Sequence, residues 1–259
     1  MRASVSTGVL WELEPEDAVR LLAEMGWEGL ELYSEHLKRL SRREEAARRL
    51  RQLCEELGAP ICAVHDNTQG LEPSCVVRLA SELGARWVVV HPDSSKGAAE
   101  NLEGVRAWAA LAREAGVGIA VENMHSRVPG GRGGRVFGSE PGELIWLAER
   151  SDPEVVGVCW DTCHAYVQGL DQRSSIVELG RYLAHVHLND NISRAEEQHL
   201  APFEGLVDWE GVFRGLRDIG YRGAAVLEGG FTVTRLPLSL RLLKLRYLLE
   251  LVRAMIAEL

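Results

Sequence analysis

The sequence predicts a single parallel (β/α)8 barrel, and three observations predict it. Eight short β-rich runs alternate with longer amphipathic segments from one end of the chain to the other. Several runs are nearly continuous in Val, Ile, Leu, Ala and Cys, as strands buried on both faces require. No break in composition divides the 259 residues, a length that α/β barrels fill as one domain covering 1–259. A doubly wound open sheet is the alternative. It usually has fewer strands, and no GxGxxG turn follows the first run.

The strands are expected at 3–9, 29–33, 61–65, 87–91, 118–122, 155–161, 184–188 and 224–228. Helix signals fill the gaps. Pro15 suits a first helical turn, and Glu16 and Asp17 follow it at the positive dipole end. Ser41 with Glu44 reads as a capping box opening a helix that runs to Leu57, where Gly58 stops it. Leu79, Leu83 and Gly84 mark another helix end. Asp208 caps a segment through Ile219, closed by Gly220. A Leu/Arg-rich helix from Leu236 to Leu259 is expected to cover the last strand.

With 46% hydrophobic and 26% charged residues, the chain has the balance of a soluble globular protein. Its formal net charge of -9 repels phosphate backbones at long range, which disfavours bulk nucleic-acid binding. No apolar stretch approaches the roughly 18 residues of a membrane helix, and the acidic residues after Leu10 do not suit a signal peptide. The five cysteines, an odd number, read as reduced thiols in a cytoplasm. Cys159 and Cys163 are too far apart for a CxxC pair and are expected to be packing residues.

Six of the eight expected strands end in a side chain able to bind a metal: His65, His91, Glu122, Asp161, His187 and Glu228. Parallel strands point the same way, so these ends should converge on one rim of the barrel. Any one alone would be a hydrogen-bonded core or loop residue. Six at equivalent positions are different, because buried imidazoles and carboxylates cost several kcal/mol unless compensated. A bound cation compensates them. His164 follows Asp161 closely, and Glu197 and His199 lie two residues apart after strand seven. Imidazole mixed with carboxylate suits zinc, manganese, cobalt or iron better than magnesium. His125 and His185 are not expected to be ligands, the first because it falls on a mobile-looking loop and the second because it should point to the side of its strand away from His187. His36 is expected on a surface or loop.

At this point the sequence resembles the xylose isomerase-like barrel superfamily, which includes endonuclease IV and many sugar isomerases and epimerases. The resemblance runs over almost the whole chain. It is carried by Val-Glu-Asn at 121–123, Trp-Asp-Thr-Cys-His at 160–164, His-Val-His-Leu-Asn-Asp at 185–190, His-Leu-Ala-Pro-Phe-Glu-Gly at 199–205 with Asp208-Trp209, and Val-Leu-Glu at 226–228. It implies one divalent ion held by Glu122, Asp161, His187 and Glu228, with Glu122 and Glu228 exchanging protons with the substrate and His164 touching it. The endonuclease branch implies a larger set for three zinc ions, matched by His65, His91, Glu122, Asp161, His164, His187, His199 and Glu228. Glu197 stands where that branch has an aspartate. The proline-glycine before a family glutamate is altered to Pro202-Phe203 before Glu204. Dimers and tetramers are common in the resembled family, which makes a homo-oligomer an expectation here.

The expected activity is isomerisation or epimerisation of a small sugar or hydroxy-carbonyl compound through an enediolate. An endonuclease IV-like zinc phosphodiesterase on abasic DNA and a polyol dehydratase are the alternatives. The acidic total and the few lysines or aromatics in the loops weigh against the first. The glycine-rich stretch 127–138 lacks the Lys-Ser/Thr of a phosphate loop. It reads either as a lid whose Arg127, Arg132 or Arg135 meets an anionic substrate group, or as a solvated turn. Glu31 and Tyr33 are candidates for the pocket lining, and Trp11, Trp160 and Trp209 for walls against a sugar face.

Overall fold

The computed structural model describes residues 1–66, 70–126 and 135–259. Eight strands, β1 (Arg2–Ser6), β2 (Gly29–Tyr33), β3 (Ile61–Asp66), β4 (Trp87–Val90), β5 (Gly118–Glu122), β6 (Val156–Asp161), β7 (Leu183–Leu188) and β8 (Ala224–Leu227), pair in chain order. Every pairing is parallel, and β8 returns to β1 to close the barrel. No helix among the described residues is long and apolar enough to cross a membrane.

The helices connecting the strands wrap the outside. They are α1 (Pro15–Met25), α2 (Ser34–Ser41), α3 (Ala46–Glu56), α4 (Pro73–Leu83), α5 (Ala98–Ala115), α6 (Pro141–Ser151), α7 (Thr162–Gln168), α8 (Gln172–Leu179), α9 (Trp209–Asp218), α10 (Phe231–Thr234) and α11 (Leu238–Glu258). Local chemistry fixes their starts. Pro15 supplies the first turn of α1, and Asp161 and Asp208 accept from His164 N and Gly211 N to cap α7 and α9.

Four expectations about these elements are corrected. β1 stops at Ser6, because its hydroxyl accepts from Gly8 N at 3.3 Å and starts a 3-10 turn over Thr7–Leu10. Ser41 caps no helix. It closes α2, its hydroxyl donating to Lys38 O at 2.9 Å, and α3 starts afresh after Glu45, whose φ is +60°. The C-terminal α11 packs mainly on β1 instead of on β8. His36 is fully buried, because α2 follows β2 without a loop and turns that ring onto the start of the chain. Its Nδ1 lies 2.8 Å from Thr7 Oγ1 and its Nε2 3.2 Å from Leu13 O.

Two apolar layers result. The larger lies between strands and helices, and the smaller fills the barrel with Cys62, Ala63, Val89, Ala120, Cys159, Ala224 and Val226. These inner side chains are mostly small, which leaves room inside the barrel for imidazoles and carboxylates. Arg241 of α11 holds the rim side of β1 and β8 together. Its guanidinium donates to Val9 O (3.0 Å), Glu12 Oε1 (2.6 Å) and Thr234 O (2.6 Å).

Candidate metal centre

The strand ends do meet. His65 lies near the end of β3, His91 follows β4, Glu122 ends β5, Asp161 ends β6, His187 lies near the end of β7 and Glu228 follows β8. His65 Nε2 lies 3.3 Å from Glu122 Oε2, and His65 Nδ1 lies 3.2 Å from Glu228 Oε1. His187 Nδ1 is 3.4 Å from Glu122 Oε2 and 3.7 Å from Glu228 Oε1. His91 Nε2 joins at 3.1 Å from both Glu122 Oε2 and His65 Nε2. A second knot lies beside the first. His164 places Nδ1 3.4 Å from Glu122 Oε1, Nε2 3.2 Å from Glu197 Oε2 and Nε2 3.2 Å from His199 Nε2.

Asp161 enters by a different route. Its Oδ1 accepts from His164 N at 2.7 Å, and its Oδ2 accepts from Asn189 Nδ2 at 2.5 Å. The same amide donates to Glu228 Oε2 at 2.5 Å, so Asn189 holds two carboxylates that would otherwise repel. Asn189 is fully buried. It was missed in the sequence because an amide does not stand out as a ligand, although it lies two residues beyond His187.

Beneath the rim sits Glu31, at the centre of β2 and fully buried. His185 Nε2 and His187 Nε2 donate to its Oε2 at 2.8 and 3.0 Å. His185 therefore faces the same side as His187, which corrects the expectation for that strand: residues two apart share a face, and only adjacent ones alternate. His125 does lie on the loop after β5, but its ring is buried with Nε2 2.7 Å from Glu197 Oε2, which puts it among the potential ligands and corrects the expectation that it stands apart from them. The sequence offers Glu31 only as a candidate for the pocket lining beside Tyr33; its lone carboxylate within the apolar run Gly-Leu-Glu-Leu-Tyr is the signal that could have marked its place beneath the rim.

The electrostatics are those of a place that wants positive charge. Glu31, Glu122, Asp161, Glu197 and Glu228 find only histidines within ion-pair distance among the described residues. Burial alone would raise the Glu31 carboxyl pKa, but His187, His185 and His65 outweigh it and hold it well below the carboxylate range. The same contest, with His187 and His91, lowers Glu122. Glu228 is held at about 2 against burial by His187, His65 and His199. In return, although burial disfavours their cations, His65 is pushed up to about 10 by Glu228, Glu31 and Glu122, and His164 to about 10 by Asp161, Glu197 and Glu122.

A divalent cation fits these residues. Glu31 Oε1, His65 Nδ1 and His187 Nδ1 are buried without a hydrogen-bond partner among the described residues, a costly arrangement that coordination would relieve. Compact groups of potential ligand atoms include Glu31-His65-His187-Glu228, His65-His91-Glu122, His125-His164-Glu197 and Asp161-Cys163-His199. The nitrogen–oxygen mixture suits a transition metal or zinc.

Above the cluster opens a cavity of about 530 Å³, lined in part by His65, His164, Glu228, Trp11 and Tyr33. Trp160 and Trp209 are buried elsewhere, their indole N–H groups donating to Gln172 Oε1 and Asp190 Oδ2 at 3.0 Å. Arg127 and Arg132 lie outside the described residues. Arg135 is turned to Glu143 at 2.9 Å, at the start of α6, and does not line this cavity.

Comparison with known proteins agrees with this architecture. A protein of Mycobacterium leprae without an assigned function is 27% identical over 252 residues, covering 88% of each chain. A probable endonuclease 4 of Thermoplasma acidophilum is 28% identical over 176 residues, covering 62% of this chain and 59% of that protein. The structure of D-psicose 3-epimerase with D-tagatose from Clostridium cellulolyticum superposes with a TM-score of 0.80 at 17% identity, covering 99% of both chains. The family described as xylose isomerase-like TIM barrel matches residues 19–244, and the chain belongs to that family.

Proposed function

We propose that the protein is a divalent-metal-dependent isomerase or epimerase of a small sugar-like hydroxy-carbonyl compound. The observation that carries this reading is the rim cavity. It is small, it brings Glu122 and Glu228 from β5 and β8 together, and its described lining contains no lysine or arginine. Such a cavity suits a neutral polyhydroxylated molecule better than a nucleic-acid backbone. Trp11, 48% exposed at its wall, offers an aromatic face for a sugar ring.

Glu122, Asp161, His187 and Glu228 would hold the ion, with His65, His91, Glu197 and His199 available to it or to further ions. When bound, the ion would polarise the substrate's carbonyl and neighbouring hydroxyl oxygens and so acidify the adjacent C–H. The side chains do the proton work. Glu122 and Glu228 are both kept ionised, as a base must be. One carboxylate takes the carbon-bound proton. In an epimerisation the other, protonated beforehand from solvent, gives its proton to the opposite face of the same carbon, and in an isomerisation the first carboxyl gives the proton it took to the neighbouring carbon. His164, with Nε2 toward the cavity's Glu197 and His199, is placed to donate to a substrate oxygen. Asn189 keeps Glu228 and Asp161 at fixed separation while charge moves.

The test is a ketose and polyol panel assayed with zinc, manganese, cobalt and magnesium, following exchange of solvent deuterium into product. Turnover with isotope incorporation at one carbon is expected, and E122Q or E228Q should abolish it while metal is at least partly retained. Full activity in either variant would reject the proton-transfer role.

A second reading, a zinc phosphodiesterase, is favoured by one observation: the ligand atoms form several neighbouring groups, as several ions would need. Salt-sensitive binding and cleavage of an abasic duplex, with a metal content near three per chain, would reverse the ranking.

A further inference from the structure

A second cavity, of about 890 Å³, opens at the opposite end of the barrel, where the strands begin. Its charge is opposite to that of the molecule. Among the described residues, Arg2, Arg86, Arg181 and Arg222 line it against a single carboxylate, Glu154, in a chain whose formal net charge is -9. Glu154 is itself engaged by Arg113 at 3.1 Å.

The four arginines bracket the mouth. Arg181, Arg222 and Arg2 stand at the beginnings of β7, β8 and β1, three consecutive staves of the barrel. Arg86 precedes β4, across the mouth. None of the four is ion-paired to a carboxylate among the described residues. Arg86 lies over the Trp87 ring at 5.4 Å, Arg181 donates to Tyr182 Oη at 2.7 Å, and Arg222 donates to the neighbouring Tyr221 O at 3.1 Å. Unpaired guanidinium groups around a concavity focus a positive field in a molecule that elsewhere repels anions. They also carry the planar donor forks that match phosphate or carboxylate.

The cavity is deep as well as basic. Gly157, Ala184 and Ala224 present little side chain, so the space reaches down to Cys62 and His185 inside the barrel. A protein segment or a membrane surface would meet only the mouth. An organic molecule of drug-like size can fill such a volume.

We propose that this cavity binds a small organic anion, with its phosphate or carboxylate groups on the arginines and its carbon body against the walls formed by Trp87, Tyr182 and Tyr221. The site is separate from the rim cavity and does not depend on the activity proposed there.

Calorimetric titration of the metal-loaded protein at low ionic strength tests it, with phenyl phosphate and phthalate as the two probes. One equivalent of at least one probe should bind. Preference for the first identifies a phosphate ester as the ligand class, and for the second a dicarboxylate. R86A and R222A should each weaken binding by roughly tenfold or more, while R246A, on the exposed side of α11, should leave it unchanged. Both cavity arginines are exposed, so an unaltered melting temperature is expected, and two substitutions before different strands keep the test intact if one fails to fold. No binding of either probe at roughly millimolar concentration would overturn the proposal. So would affinity that is equal in wild type, R86A and R222A, which would put the anion at the metal rim, or arginine-dependent dimerisation that closes the mouth.

Discussion

Glu31 Oε2 lies 3.0 Å from His187 Nε2, and this contact decides which nitrogen of that histidine faces the rim. An ionised carboxylate only accepts hydrogen bonds, so Nε2 carries a proton and Nδ1 is left toward Glu122 and Glu228. His185 supplies a second N–H to the same oxygen at 2.8 Å and fixes the carboxylate in turn. Carboxylates behind metal-binding histidines orient the ring and raise its basicity.

E31Q tests that role. Its amide can turn an oxygen to His187 but brings an N–H donor and no charge. Metal affinity is expected to fall by about 10- to 100-fold, measured by titration with a competing chelator, with the fold retained by circular dichroism. Unchanged affinity would remove Glu31 from the account of the site.

Metal binding should release protons. Without a cation, burial disfavours the charged His65 and His164, but the carboxylates around them raise both to about 10, so both rings are protonated at neutral pH. A ligating imidazole must be neutral. Affinity is therefore expected to rise with pH between about 6 and 8, by up to about tenfold per unit for each proton lost. Calorimetry in buffers of different ionisation enthalpy counts the protons, and a count of zero would contradict the prediction.

His36 gives a stability signature away from the rim. Burial lowers its pKa to about 4, despite the stabilising Leu13 carbonyl. The unfolded ring titrates near about 6.5, so between these values the unfolded chain holds the extra proton. This contribution is complete above about pH 6.5 and is lost progressively as pH falls towards 4, by on the order of 3 kcal/mol. In H36Q the denaturant midpoint should depend less on pH across that window than in wild type.

Packing at the barrel's lower end makes a further prediction. A Cβ on Gly118 would meet Trp87 Cζ3 and Cε3 within the ring at 2.1 and 2.3 Å. G118A should therefore destabilise the protein by about 1–3 kcal/mol through overpacking, lowering the melting temperature by several degrees. A melting temperature equal to wild type would mean that Trp87 is free to move.

The barrel was legible because parallel strands buried on both faces leave an apolar signature, and their shared direction turns a list of strand ends into a rim. His65, His91, Glu122, Asp161, His187 and Glu228 were found that way. What stayed hidden depended on contacts between distant segments. His36 is a loop-like residue in sequence and becomes buried only because Thr7 and Leu13 lie over it. His125 meets Glu197, 72 residues away. Ser41 carries a capping pattern that the preceding helix overrides by extending from Ser34. His185 is a different case: strand alternation, correctly applied, would have placed it beside His187.

The central claim is that carboxylates and imidazoles from several strands share a cation. Anomalous diffraction from zinc- or manganese-loaded crystals tests it most directly. The account predicts a peak within coordination distance of His187 Nδ1 together with carboxylate oxygens of Glu122, Asp161 or Glu228. That peak should disappear in H187A. A fully occupied ion elsewhere, or a cluster that stays empty at saturating metal, would contradict it.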